Sequence, residues 1–173
     1  MRQVIAVIAM LAAFAAGTGT AQAKDPDVDI GGSIPLFVPV GKLGDATGVG
    51  TGVLAQGAYN VNRTVGLRAQ AGFVHHFKNV VSMNVVPIFL GGEFTFGKGG
   101  FRPFADLDLC LSVASSTPGG SDTNIGMDVG GGVKYALSKN IDAVGKLGLF
   151  VYDLANFTDT MIIGLTAGIN FGL

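Results

Sequence analysis

The chain has 173 residues, a formal net charge of −1, 13% charged residues and a mean hydropathy of +0.51. Its length fits one domain, its charged fraction is about half that of soluble domains, and no Lys/Arg cluster marks a nucleic-acid surface. The single cysteine, Cys110, excludes an internal disulfide and supplies no metal constellation.

The N-terminus reads as an address. One positive charge at Arg2 precedes a continuous apolar run over residues 4–16, and Ala21-Gln22-Ala23 has the small-x-small form of a cleavage site. The thirteen apolar residues of that run fall short of the roughly 20 needed for a spanning helix. The pattern predicts a secretory signal peptide over 1–23 and a mature domain over 24–173 that begins at Lys24 outside the cytoplasm. After residue 23 there is no run of 18 apolar residues, which excludes a helical membrane protein.

The mature chain alternates instead. Val28, Ile30, Ile34, Leu36, Val38 and Val40 occupy even positions, with Asp27, Asp29 and Ser33 between them. Side chains alternate faces along a strand, so this is one greasy and one polar face. Pro35 and Pro39 remove ladder donors and predict a bent or imperfectly paired strand end. Residues 41–48 read as a loop. A second strand over 49–61 sets Val49, Val53, Ala55, Tyr59 and Val61 against Gly50, Gly52, Gln56 and Asn60. After a three-residue turn at 62–64, Val65, Leu67, Ala69, Ala71, Phe73 and Phe77 share a face opposite Arg68, Gln70 and His76.

Lys78-Asn79 reads as a two-residue hairpin, which should switch the apolar set to even numbers. Val86, Ile88, Leu90, Phe94 and Phe96 follow, with Asn84 the exception. A four-residue turn at 97–100 should switch it back, and Phe101, Pro103, Ala105, Leu107, Leu109, Leu111 and Val113 fall on odd numbers. Residues 114–124, rich in Ser, Thr, Gly and Asp, predict the longest loop. A sixth strand carries Ile125 to Leu137 on odd positions. A turn at 138–140 leads to a seventh over 141–151, in which Val144 and Phe150 break the pattern. The loop over 152–160 leads to a closing strand with Met161, Ile163, Leu165, Ala167, Ile169, Phe171 and Leu173 opposite Gly164, Thr166, Gly168, Asn170 and Gly172.

Eight strands in consistent phase predict an all-β, eight-stranded antiparallel up-and-down transmembrane β-barrel. A soluble barrel or sandwich has the same period, so the direction of the apolar face needs separate grounds. The polar face carries Gly126, Gly130, Gly132, Gly164, Gly168 and Gly172, which suits a narrow interior better than a solvated surface. Tyr59, Phe73, Phe77, Phe94, Phe96, Phe101, Tyr135 and Phe171 stand near strand ends on the apolar face, as in the aromatic girdles of lipid barrels.

With these features the chain resembles the eight-stranded outer-membrane β-barrel family, the outer-membrane protein A-like transmembrane domain and its small opacity-type relatives. The resemblance covers the mature chain and is carried most by its end, where Leu173, Phe171, Ile169, Ala167 and Leu165 look like the family's insertion signal. Leu173 takes the place of the family's usual terminal aromatic residue. The resemblance implies a monomer in the Gram-negative cell envelope, with outer-membrane lipid, lipopolysaccharide and, during insertion, the barrel-assembly machinery as partners. No nucleic acid and no cofactor are expected.

The inward face carries Asp29, Arg68, Glu93, Arg102, Asp106, Asp108, Asp128, Lys134, Asp142 and Lys146. Charges shut in a narrow lumen must pair, and eight strands leave room for side chains and little else. The size argument favours a structural network over an ion path. His75 and His76 face opposite sides of one strand and cannot ligate a metal together. Residues 126–134 are no phosphate loop, because Lys134 has no Ser or Thr after it. Asp106 and Asp108 beside Cys110 disfavour a thiolate nucleophile. The leading expectation is therefore a barrel with a structural, envelope-integrity or surface-interaction role and no catalysis. A narrow solute or ion channel and a lipid-modifying outer-membrane enzyme are the alternatives.

Overall fold

The computed structural model describes residues 27–77, 82–97, 99–117 and 120–173. The signal-peptide reading and the Lys78-Asn79 hairpin lie outside them. The strands are β1 (Asp27–Pro39), β2 (Gly50–Asn60), β3 (Val65–His76), β4 (Ser82–Thr95), β5 (Phe101–Thr117), β6 (Gly120–Ala136), β7 (Ile141–Val151) and β8 (Met161–Gly172). Each pairs antiparallel with its neighbours, and β1 pairs with β8 to close an eight-stranded up-and-down barrel. Closure removes every sheet edge, the condition for a sheet to sit in lipid.

Opposed residues share a face, and the register preserves the predicted parity through every turn. Val28 faces Tyr59, Leu67 faces Gly92, Leu109 faces Met127 and Ile163 faces Leu149. The outward residues are large and bare: Ile34 is 62% exposed, Leu67 57%, Leu109 62% and Leu147 60%. Hydrocarbon is the solvent that suits such a belt. The aromatic residues form two bands on it, Tyr59, Phe94, Phe96, Phe101, Tyr135 and Phe171 near the chain termini and Phe73 and Phe77 at the opposite end.

Three local departures from the sequence reading have physical causes. Residues 114–124 are mostly not a loop, because β5 and β6 continue to Thr117 and from Gly120 as a projecting hairpin. Their Ser and Thr residues suggested a turn, but the residues pair as a ladder, Ser112 with Asn124 and Ala114 with Asp122. Residues 41–48 contain a short helix, α1 (Gly41–Ala46), which Gly41 starts at φ 62° and Thr47 ends by donating its N–H to Leu43 O at 2.7 Å. A 3-10 turn, Leu154–Asn156, occupies the loop before β8. The expected defect at Pro35 falls on one side only. The β1–β2 ladder skips Ile34 and Pro35, whereas the β1–β8 ladder runs through both Pro35 and Pro39.

The facing assignment can be read out by depth. Leu109→Lys should cost about 2–4 kcal/mol in a refolding titration, the range for a lysine on the lipid face near the midplane. Ser115 lies on the same face of β5, six residues away on the exposed hairpin, and Ser115→Lys should be close to neutral. Equal effects at the two positions would refute the lipid-facing assignment.

Candidate functional site

The inward face of β5 displays the lumen in order. Arg102 stands near the mouth on the terminus side, then come Phe104, Asp106 and Asp108, and then Cys110, Ser112 and Ala114 towards the loops. Each stretch belongs to a distinct layer.

The middle layer is ionic. Arg68 on β3 pairs with Asp106 and Asp108 on β5 and lies 3.9 Å from Glu93 on β4. Lys146 on β7 reaches Asp106 at 2.8 Å, Asp108 at 3.8 Å and Asp128 on β6. Lys134 pairs with Glu93 and stands 5.8 Å over the Phe104 ring. All seven residues are buried, so the cations and carboxylates replace one another's lost hydration. Asp106, Asp108 and Asp128 have oxygens within 4.8 Å of one another, a spacing that a metal could use. Arg68 and Lys146 already occupy it, which makes the cluster a poor metal site. Beside it runs a neutral ladder, in which Gln70 Nε2 donates to Gln56 Oε1 at 2.7 Å and Gln56 donates to Asn170 Oδ1.

Of the ten inward ionisable residues read from the sequence, the structure gathers Arg68, Glu93, Asp106, Asp108, Asp128, Lys134 and Lys146. Arg102 and Asp142 form a separate pair at 2.5 Å nearer the mouth. Asp29 stands apart and accepts from Asn60 Nδ2 at 2.9 Å.

The inward glycines make room for these charges. A Cβ at Gly130 would stand 2.5 Å from Lys146 Cε and 2.9 Å from Asp106 Oδ1, and one at Gly148 would stand 2.9 Å from Asp128 Oδ1. At Gly91 it would fall on the backbone oxygen of Leu107 and on Asp108, and backbone cannot swing aside. Gly91→Ala should therefore destabilise the barrel by about 1–3 kcal/mol through overpacking. A guanidinium or urea midpoint equal to wild type would show that the lumen has slack there.

The layer towards the loops is apolar. Phe37, Leu54, Phe89, Cys110, Phe150 and Ile162 form one buried cluster with Val74, Met83, Val85, Ala114 and Tyr152, and Leu43 of α1 leans on it. Phe150 is its hub, with ring centroids 5.8 Å from Phe37, 5.3 Å from Phe89 and 6.4 Å from Tyr152. These separations lie in the favourable range for tilted and edge-on rings. Sequence reasoning missed this plug. Its signal was the aromatic and branched residues on the inward parity, Phe37, Phe89, Phe150 and Ile162, of which only Phe150 stood out as an exception.

Neither histidine forms part of a catalytic set among the described residues. His75 is half-buried, bonds Asn84 Oδ1 at 2.7 Å and packs edge-on against Phe77 at 4.7 Å, a rim position. His76 faces inward, is buried and bonds Gly48 O at 3.1 Å. Ser112 Oγ is 3.4 Å from Asn124 O.

Known structures share this barrel. The Neisserial surface protein NspA is 18% identical with a TM-score of 0.70, over 83% of this chain and 96% of that one. The N-terminal β-barrel domain of Pseudomonas aeruginosa OprF is 18% identical with a TM-score of 0.60, over 86% and 100%. Ail of Yersinia pestis, in complex with the heparin analogue sucrose octasulfate, is 11% identical with a TM-score of 0.53, over 86% and 97%. No curated protein sequence matches the chain. The family described as the outer membrane protein beta-barrel domain matches residues 6–171, nearly the whole sequence, and the chain belongs to that family.

Proposed function

We propose that the protein is an integral wall component of the bacterial outer membrane that serves envelope integrity or surface interaction and catalyses no reaction. In this reading the segment 1–23 exports it and the barrel-assembly machinery inserts it. The folded monomer then sits among lipid and lipopolysaccharide. The observation that carries the reading is a lumen filled twice over, by the buried ion-pair network and by the Phe150 plug, inside a wall whose outward residues suit lipid. A wall with a packed middle contributes rigidity and outward contact area, and it offers no path through the lumen.

For the surface-interaction arm, the charge at the loop end matters. Among the described residues, Asp45, Asp122, Asp153 and Asp159 lie there with Lys42, which is bonded to Asp159 at 2.8 Å. This acidic end suits a neutral or cationic partner. It does not suit a polyanion of the kind carried by the Ail complex.

The reading predicts that the mature chain refolds only in detergent or lipid and migrates anomalously on gels unless boiled. Cells lacking it should admit hydrophobic dyes more readily and regain the barrier when the gene is restored. Recovery of the chain as a folded soluble monomer, or lipid hydrolysis by the refolded barrel, would overturn it.

A further inference from the structure

We propose that the mouth at the terminus end of the barrel is a binding site for a small solute bearing carboxylate or phosphate oxyanions. This goes beyond the wall role and does not depend on it. A cavity of about 690 Å³ opens between the turns at 61–64 and 137–140, with Gly97, Gly99 and Gly100 on its third side, within the usual range of small-molecule sites. It is blind, because the Lys134–Glu93 and Arg102–Asp142 pairs stand at its inner end and the ionic and apolar layers follow. In family barrels the short turns face the periplasm, so the solute would be a periplasmic one.

The lining is rich in unspent donors. Arg63 and Lys139 project from two different turns onto the cavity, and neither has an ion-pair partner among the described residues. The turns that carry them are held in place. Asn62 Oδ1 accepts the N–H groups of Thr64 and Val65, each at 2.8 Å, and Ser138 N–H donates to Ile141 O at 3.1 Å. Deeper in, Arg102 uses Nη2 on Asp142, while its buried Nε–H has no acceptor. The two side-chain carboxylates that also line the cavity are engaged, Asp29 by Asn60 and Asp142 by Arg102, which among the described residues leaves the α-carboxylate of Leu173 as the one acceptor to set against Arg63, Lys139 and the Arg102 Nε–H. Donors therefore exceed free acceptors, and two guanidinium groups suit the planar, multidentate oxygens of carboxylate or phosphate.

The test uses the full mature chain refolded in zwitterionic detergent, titrated with inorganic phosphate and with citrate at constant ionic strength. The readout is the NMR signals of the arginine Nε–H groups and of the turn amides. The expected result is saturable shifts confined to the turns at 61–64 and 137–140 and to Arg102. Preference for one probe would identify phosphate or carboxylate as the recognised group. Arg63→Gln with Lys139→Gln should weaken binding about tenfold or more, given charge-assisted contacts, while gel heat-modifiability stays as in wild type. Non-saturating shifts, unchanged affinity in the double variant, or equal shifts from an uncharged disaccharide would each overturn the proposal.

Discussion

Arg68→Met should lower the stability of the refolded barrel by about 3–5 kcal/mol, the range for breaking a buried ion pair by removing one partner. The structure makes Arg68 the most exacting of the lumen cations. It is 8% exposed and is shared by Asp106 and Asp108, with Glu93 at 3.9 Å. The buried network already sets Glu93, Asp106, Asp108 and Asp128 against Arg68, Lys134 and Lys146, one cation short of balance. Loss of Arg68 leaves two aspartates facing each other with Lys146 alone between them. Arg68→Lys keeps the charge but loses the planar fork that spans both carboxylates, so it should fall between wild type and methionine. Arg102→Met is the internal control. Its pair with Asp142 lies at the mouth, with the arginine side chain 34% exposed, and such pairs contribute about 1 kcal/mol or less. Urea titration of the three variants in lipid vesicles measures the order. Equal small losses at Arg68 and Arg102 would mean that the lumen is hydrated enough to screen both.

The barrel was legible in the sequence because its main signal is periodic. Alternation with a parity that survives each turn gives strand count, order and the two faces without knowledge of any distant contact, and the glycines on one face and the aromatic residues on the other say which face is outward. The candidate lumen residues follow from the same parity, but their partners do not. Arg68 meets Asp108 across forty residues of chain, and only the tilt and stagger of the closed barrel decide which inward charges share a level. Alternation also says nothing about depth. Phe37, Phe89 and Phe150 hold inward positions on β1, β4 and β7, strands far apart in sequence, and become one plug only when closure brings those strands round a common axis. The β5–β6 hairpin was misread for a related reason. Ser, Thr, Gly and Asp mark turns in a compact domain, yet a ladder that runs on past the lipid-facing belt pairs the same residues with its outer face in water.

Purified barrel in a planar bilayer should show no large, steady conductance, and Phe150→Ala should remain silent although it costs about 3–5 kcal/mol of refolding stability. The loss follows from the packing. Phe150 is 2% exposed and contacts Phe37, Phe89 and Tyr152, and no neighbour can fill the space of its ring without leaving its own. The silence follows from the second layer. A cavity opened among the aromatic rings ends on Lys146, Asp106, Asp108, Asp128 and Arg68, whose mutual pairs cross the lumen between β3, β5, β6 and β7. An ion could pass only by parting those pairs, which returns their desolvation cost in full. Open porins avoid this by using about 16–18 strands. A conducting lumen would behave differently, giving reproducible single-channel steps whose size changes when Arg102 or Lys146 is neutralised. Steps of that kind in the wild-type barrel would make the lumen charges a selectivity element and displace the wall role. Steps seen only in Phe150→Ala would instead show that the aromatic layer is the seal and that the ionic layer beneath it is permeable.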